Sequence, residues 1–177
     1  SITKSITATM LARLVEKGVL SWDTKVTDIL KEASIHSDWK DVTIHMLLSH
    51  TSGADSDFPW RIQSLQPKEG VNRQKIRKQE VLEILNTKPS YKPGTDFRYS
   101  NVGYTVAGVM AATITGKTWE DLVREEVFRP LKLISGGFGP PMDAHNGLEQ
   151  PRGHKRSWFS GPKSVSTETD NSPVMGP

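Results

Sequence analysis

The sequence predicts a mainly α chain, and three observations carry that prediction. Ile6, Met10 and Leu14 recur every four residues with Leu11 and Val15 beside them, which marks one face of a helix. Residues 102–115 read as a second long helix, with Ser100 or Asn101 able to cap its start and Gly116 placed to stop it. Thr118 and Asp121 have the spacing of a capping box that opens a third helix running to Val127, and Pro130 ends it.

Bulk properties narrow the classes further. A chain of 177 residues is expected to form one domain with room for a sizeable core. The net charge of +3 is small and scattered, so nucleic acid is not an expected partner. The chain has no cysteine, which excludes disulfides, thiol catalysis and cysteine-ligated metal. No apolar run approaches the roughly 20 residues of a membrane span, so none is expected.

The remaining elements follow in order. Gly18 after Lys17 stops the first helix. Residues 19–42 read as a turn-rich connection anchored by Trp22, Val26, Ile29 and Leu30, with Asp23 and Asp28 as turn or capping residues. Thr43 is placed to cap a short helix, Ile44 to Ser49, that ends in His50-Thr51-Ser52-Gly53. His45 and His50 are five apart, a poor helical spacing for metal, and the residues lead us to expect no metal site and no cofactor. His50 reads as a hydrogen-bonded histidine at a helix end. Residues 54–73 read as a polar surface loop containing Phe58 and Trp60. Val81, Ile84 and Leu85 mark another helix, stopped before Pro89. Tyr91-Lys92-Pro93-Gly94 is a turn signal. Gly103 and Gly108 inside the 102–115 helix cost stability and predict close packing there. Residues 1–135 thus form the helical part. Residues 136–177 hold 13 of the 25 glycines and prolines, show no helical or strand period, and read as an extended loop region of the same domain. Its basic cluster, Arg152, His154, Lys155 and Arg156, reads as a solvated loop.

Ser1-Ile2-Thr3-Lys4 is the stretch with chemistry in it. On a helix, Ser1 and Lys4 share a face one turn apart. Serine is a weak nucleophile until a base removes its proton, and lysine becomes such a base if its pKa is lowered. S-x-x-K alone is also compatible with a solvated helix start.

Taken together, the motifs resemble the serine β-lactamase-related family, and within it the class C β-lactamase, DD-peptidase and esterase branch. Ser1 to Ser5 resemble its S-x-x-K segment. Leu47-Leu48-Ser49-His50-Thr51-Ser52-Gly53 resembles its L-L-x-H-T-S-G segment. Tyr91 to Asn101, with P-G-T and Y-S-N, resembles its second catalytic motif, and Phe128-Arg129-Pro130-Leu131 the segment closing its helical region. The resemblance implies the helical half of an α/β serine β-lactamase/DD-peptidase-like fold, with the central antiparallel sheet largely missing. It implies a serine hydrolase of esterase, D-peptidase or β-lactamase type. In that casting Ser1 is the acylated nucleophile, Lys4 helps deprotonate it, Tyr99 is general base and acid, and Asn101 binds substrate and Lys4. His50 and Ser52 match structural positions. Without the family, Tyr99 reads as a core tyrosine and Asn101 as a helix cap.

The third motif of the family, K-T-G or H-x-G, is not found, and the strand-rich parts are missing. The chain is therefore expected to be a fragment and, taken alone, catalytically silent. The alternative is a truncated helical module that keeps the fold signals without the activity. An N-terminal-nucleophile hydrolase ranks last, because Ser1 opens a helix pattern. The partners implied are a small-molecule ester, amide or β-lactam substrate, with self-association through the exposed sheet-facing surface. The resemblance also implies a periplasmic or secreted location, with any signal peptide outside this chain.

Overall fold

The structure, a computed structural model, describes residues 1–32, 34–65, 72–139, 153–157, 161–165, 172 and 175–177. Seven α-helices are found among them: α1 (Ile2–Glu16), α2 (Val26–Ile29), α3 (Ile44–Leu48), α4 (Trp60–Gln63), α5 (Arg73–Leu85), α6 (Asn101–Thr115) and α7 (Trp119–Val123). A π turn, Arg124–Phe128, continues α7. The only sheet among the described residues is an antiparallel hairpin, β1 (His154–Ser157) with β2 (Gly161–Ser164), in the register His154 opposite Ser164.

Helix α6 is the axis of the molecule. Every residue from Val102 to Ala112 is buried, and α1, α2, α3, α5 and α7 all pack on it. Its sequence explains why it can be covered all round. Val102, Val106, Val109 and Met110 are apolar, and the glycines let neighbours approach. A Cβ on Gly103 would lie 3.0 Å from the Leu47 carbonyl oxygen, and one on Gly108 would lie 2.5 Å from Pro177 Cγ. The intrinsic cost of glycine in a helix is thereby set against closer packing. Burying each large side chain here contributes about 1.5–3 kcal/mol.

The helix ends follow their caps. Thr43 accepts from the Met46 amide at 3.2 Å, Asn72 from Lys75 at 2.9 Å, Ser100 from Gly103 at 2.9 Å, and Thr118 from Asp121 at 3.1 Å. Gly18 and Gly116 take the left-handed conformation, φ 70 and 69, that closes α1 and α6. Helix α1 buries Thr7, Met10, Leu11 and Leu14 against α6, α7 and the π turn. Arg77 is fully buried and pairs with Glu120 at 2.8 Å, tying α5 to α7.

Four expectations need correction. Trp22 is not an anchor: its side chain is 38% exposed, and only its carbonyl is used, accepting from the His45 amide at 2.9 Å. The buried tryptophan of that connection is Trp39, whose indole N–H donates to the Thr87 carbonyl at 2.8 Å. Residues 54–65 are more than a surface loop. They form α4 and bury Phe58 and Ile62, two apolar residues four apart that the surrounding polar sequence obscured. Residues 66–71 lie outside the described ones. Within 136–177, where no strand period was read, β1 and β2 pair around Gly161 at φ 69. The described positions of the hairpin are exposed on both faces, so no alternation of apolar and polar residues betrays them. His154, Lys155 and Arg156 are solvated as expected, on a strand instead of a loop; Arg152 lies outside the described residues.

Candidate active site

Two segments far apart in sequence meet at the start of α1. Ser1 and Lys4 stand on the first turn of that helix. Tyr99 closes an extended stretch just before the Ser100 cap, and Asn101 is the first residue of α6. Ser1 Oγ lies 2.5 Å from the Tyr99 hydroxyl. Lys4 Nζ donates to Asn101 Oδ1 at 2.5 Å and lies 5.0 Å from the centre of the Tyr99 ring. All four residues expected from the sequence are thus brought together. Tyr99 is 44% exposed and so is not a core tyrosine.

Electrostatics separate two phenols that share one ammonium. Lys4 Nζ lies 5.4 Å from the ring centre of Tyr104, almost as close as to that of Tyr99. The hydrogen bonds from Ser1 and then from Lys4, with the Lys4 charge, hold the Tyr99 phenol below the ordinary tyrosine value. Burial, helped by Tyr99, pushes Tyr104 the other way, and its hydroxyl donates to the Leu48 carbonyl at 3.1 Å. A phenol that is half-open and faced by a cation ionises more readily than one buried on a carbonyl. Of the two, Tyr99 is the one better suited to exchange a proton.

Three further residues shape the site, and sequence reasoning missed the part each plays. Asp57 accepts from Asn101 Nδ2 at 2.5 Å. That bond fixes the amide so that its oxygen faces Lys4. Tyr104 is the second aromatic wall around the ammonium. His50, expected to be structural, lies against Tyr99 with ring centres 4.5 Å apart and against Tyr104 at 5.3 Å, tilted to both. The Y-S-N spacing carries a signal for Tyr104, three residues after Asn101 and so on its face of the helix. Asp57 and His50 belong to another segment, and only the tertiary fold brings them here.

A cleft of about 420 Å³ opens beside these groups. It is lined by Ser1, Lys4 and Asn101 at one end and by Phe128, Phe138 and Met175 among others. Among the described residues no group of three His, Cys, Asp or Glu could hold a metal, and no helix is long and apolar enough to cross a membrane. A hydroxyl next to a readily ionised phenol, itself beside a fixed ammonium, is an arrangement for nucleophilic attack on an electrophilic carbon.

Comparison with known proteins gives the same direction. The profile of the Beta-lactamase family matches residues 1–166. Penicillin-binding protein 4 of Amycolatopsis lactamdurans is 33% identical over 135 residues, which cover 75% of this chain and 33% of that protein. Lovastatin esterase of Penicillium rubens is 28% identical over 162 residues, covering 79% and 39%. The crystal structure of a penicillin binding protein from Bacillus halodurans superposes with a TM-score of 0.69 at 25% identity, over 96% of this chain and 50% of that one. The chain spans about a third of the length of these curated relatives.

Proposed function

The chain belongs to the Beta-lactamase family, and from that premise we propose that it carries the nucleophile, base and substrate-orienting amide of a serine hydrolase that works through an acyl-enzyme on Ser1. The observation that carries this reading is the 2.5 Å contact between Ser1 Oγ and the Tyr99 hydroxyl, with Lys4 beside the phenol and bonded to Asn101.

The chemistry runs in two halves. In the first, Tyr99 as phenolate accepts the Ser1 Oγ proton while Oγ bonds to the substrate carbonyl carbon, and the carbonyl π pair moves onto oxygen. The tetrahedral species collapses with cleavage of the bond to the leaving group, which takes the proton back from Tyr99. In the second half water replaces Ser1 as nucleophile, gives its proton to Tyr99, and the acyl–Oγ bond breaks as Ser1 recovers a proton. The Lys4 ammonium beside the ring stabilises the phenolate in both halves. Asn101, whose N–H edge is held by Asp57, keeps the Lys4 ammonium in place through its amide oxygen.

The substrate class we favour is an ester or a D-peptide amide in preference to a β-lactam antibiotic, since one relative is named an esterase and nothing in the residues around Ser1 singles out antibiotic hydrolysis. The test is to assay the complete protein and its Ser1→Ala variant side by side on a short-chain nitrophenyl ester and on nitrocefin. Ser1-dependent ester turnover exceeding nitrocefin turnover is expected. Turnover that survives Ser1→Ala would sink the nucleophile assignment, and fast nitrocefin turnover would overturn the substrate preference.

A further inference from the structure

His50 sits at the centre of the site's aromatic cluster, yet the reaction sequence above gives it no proton to move. Its backbone is unusual. It is one of two non-glycine residues with positive φ among the described residues, at φ 62, a conformation that costs a side-chain-bearing residue about 1 kcal/mol or more and persists where the surroundings hold it. The surroundings supply that hold. The His50 carbonyl accepts from the Arg98 amide at 2.9 Å and from the Tyr91 hydroxyl at 3.1 Å. Its Nδ1 accepts from the Ser100 amide at 3.1 Å. Its ring lies 4.5 Å from that of Tyr99, 5.3 Å from Tyr104 and 5.7 Å, edge-on, from Phe97. The histidine therefore grips the backbone on both sides of Tyr99, at residues 98 and 100, and backs its ring as well.

We propose that His50 is a positioning residue for Tyr99: its left-handed backbone, its Nδ1 acceptor and its ring face together hold the phenol against Ser1 Oγ. This deepens the hydrolase reading and rests on it for the consequence in turnover. No other residue type supplies all three parts. Asparagine accepts a hydrogen bond and tolerates positive φ but has no ring. Phenylalanine has the ring but no acceptor. The grip also requires a neutral imidazole with its proton on Nε2, because Nδ1 must accept. The titratable groups near the ring are Lys4 from α1, Tyr104 from α6 and Tyr99 from the extended stretch, while Arg98 and Tyr91 bond the His50 carbonyl. Burial first, then the Lys4 charge, lower the His50 pKa below its ordinary value. The imidazole is therefore neutral at neutral pH, and acidification would set a protonated Nδ1 against the Ser100 N–H.

The experiment reads the Tyr99 phenol itself. The chain has three tyrosines, so Tyr99 ionisation is isolated as the phenolate absorbance of each protein minus that of its Tyr99→Phe counterpart. In His50→Ala the Tyr99 midpoint should rise, since the phenol is no longer held on Ser1 and Lys4, and ester kcat should fall by about 10–100-fold with KM changed little. His50→Asn should recover part of both effects, which a residue needed only for stability would not do. A folded His50→Ala with an unmoved Tyr99 midpoint overturns the proposal, and so does His50→Asn matching His50→Ala in that midpoint. If His50→Ala does not fold, His50→Asn decides alone. A raised midpoint at unchanged circular dichroism supports the proposal, and an unmoved one contradicts it. Absence of Ser1-dependent turnover in the unaltered protein would fail the hydrolase reading and still leave the phenol titration to judge this one.

Discussion

The side of the site that carries Tyr99 and Asn101 and the side that carries Ser1 and Lys4 meet at 2.5 Å, but they are held by different means. The first is clasped by backbone hydrogen bonds to the loop 50–56. Arg98 and Ser100 donate to His50, the Ser100 hydroxyl donates to the Asp55 carbonyl at 2.5 Å, and the Asn101 amide donates to the Ser56 carbonyl at 2.7 Å. The second has few such ties. It is placed by the buried face of α1, where Met10 and Leu11 have no exposed surface, and by the Lys4–Asn101 bond. Damage to the first side should therefore be read in rate before it is read in stability. Damage beneath the second should be read in stability first.

The largest effect is expected on the clasped side. Tyr99→Phe removes one hydroxyl from a half-exposed ring, so the fold should persist, and ester kcat should fall by about 10²–10⁴-fold, the size of a lost acid–base group. Unchanged turnover in a folded variant would demote Tyr99 to a packing residue. A paired measurement sharpens the contrast in stability. Leu11→Ala, beneath the Ser1–Lys4 side, should cost about 2–5 kcal/mol of unfolding free energy in denaturant. Ser100→Ala, which loses the α6 cap and the Asp55 bond, should cost only about 0.5–2 kcal/mol. A larger loss from Ser100→Ala than from Leu11→Ala would reverse the comparison.

The same difference explains what could be read in the sequence. The α1 face and the caps at Thr43, Ser100 and Thr118 are local patterns, because a helix's period and its first turn are set by residues within four of each other. Thr43 and Thr118 cap where expected, and of Ser100 and Asn101 it is Ser100 that caps α6. Helix α4 and the β1–β2 hairpin were not legible. The first is four residues long with a single buried side chain, and the second has no buried face to impose alternation. The site was half legible. Ser1 and Lys4 share a helix turn and could be paired from spacing alone. Their meeting with Tyr99 and Asn101, about a hundred residues away, was available only through the family resemblance. His50 was legible as a hydrogen-bonded histidine at a helix end, which its Ser100 bond bears out, but its place beside Tyr99, like the part of Asp57, depends on a loop closing over the start of α6.

Covalent labelling reads out the nucleophile itself. The complete protein is treated with a fluorophosphonate and the adduct is located by mass spectrometry, with Ser1→Ala and Ser5→Ala as companions. Ser5 is the discriminating control. It lies on the same helical turn, but its hydroxyl donates to the Ile2 carbonyl at 2.7 Å and has no phenol beside it. One adduct is expected, on Ser1, lost in Ser1→Ala and kept in Ser5→Ala. An adduct on any other residue, or labelling undiminished in Ser1→Ala, would contradict the nucleophile assignment.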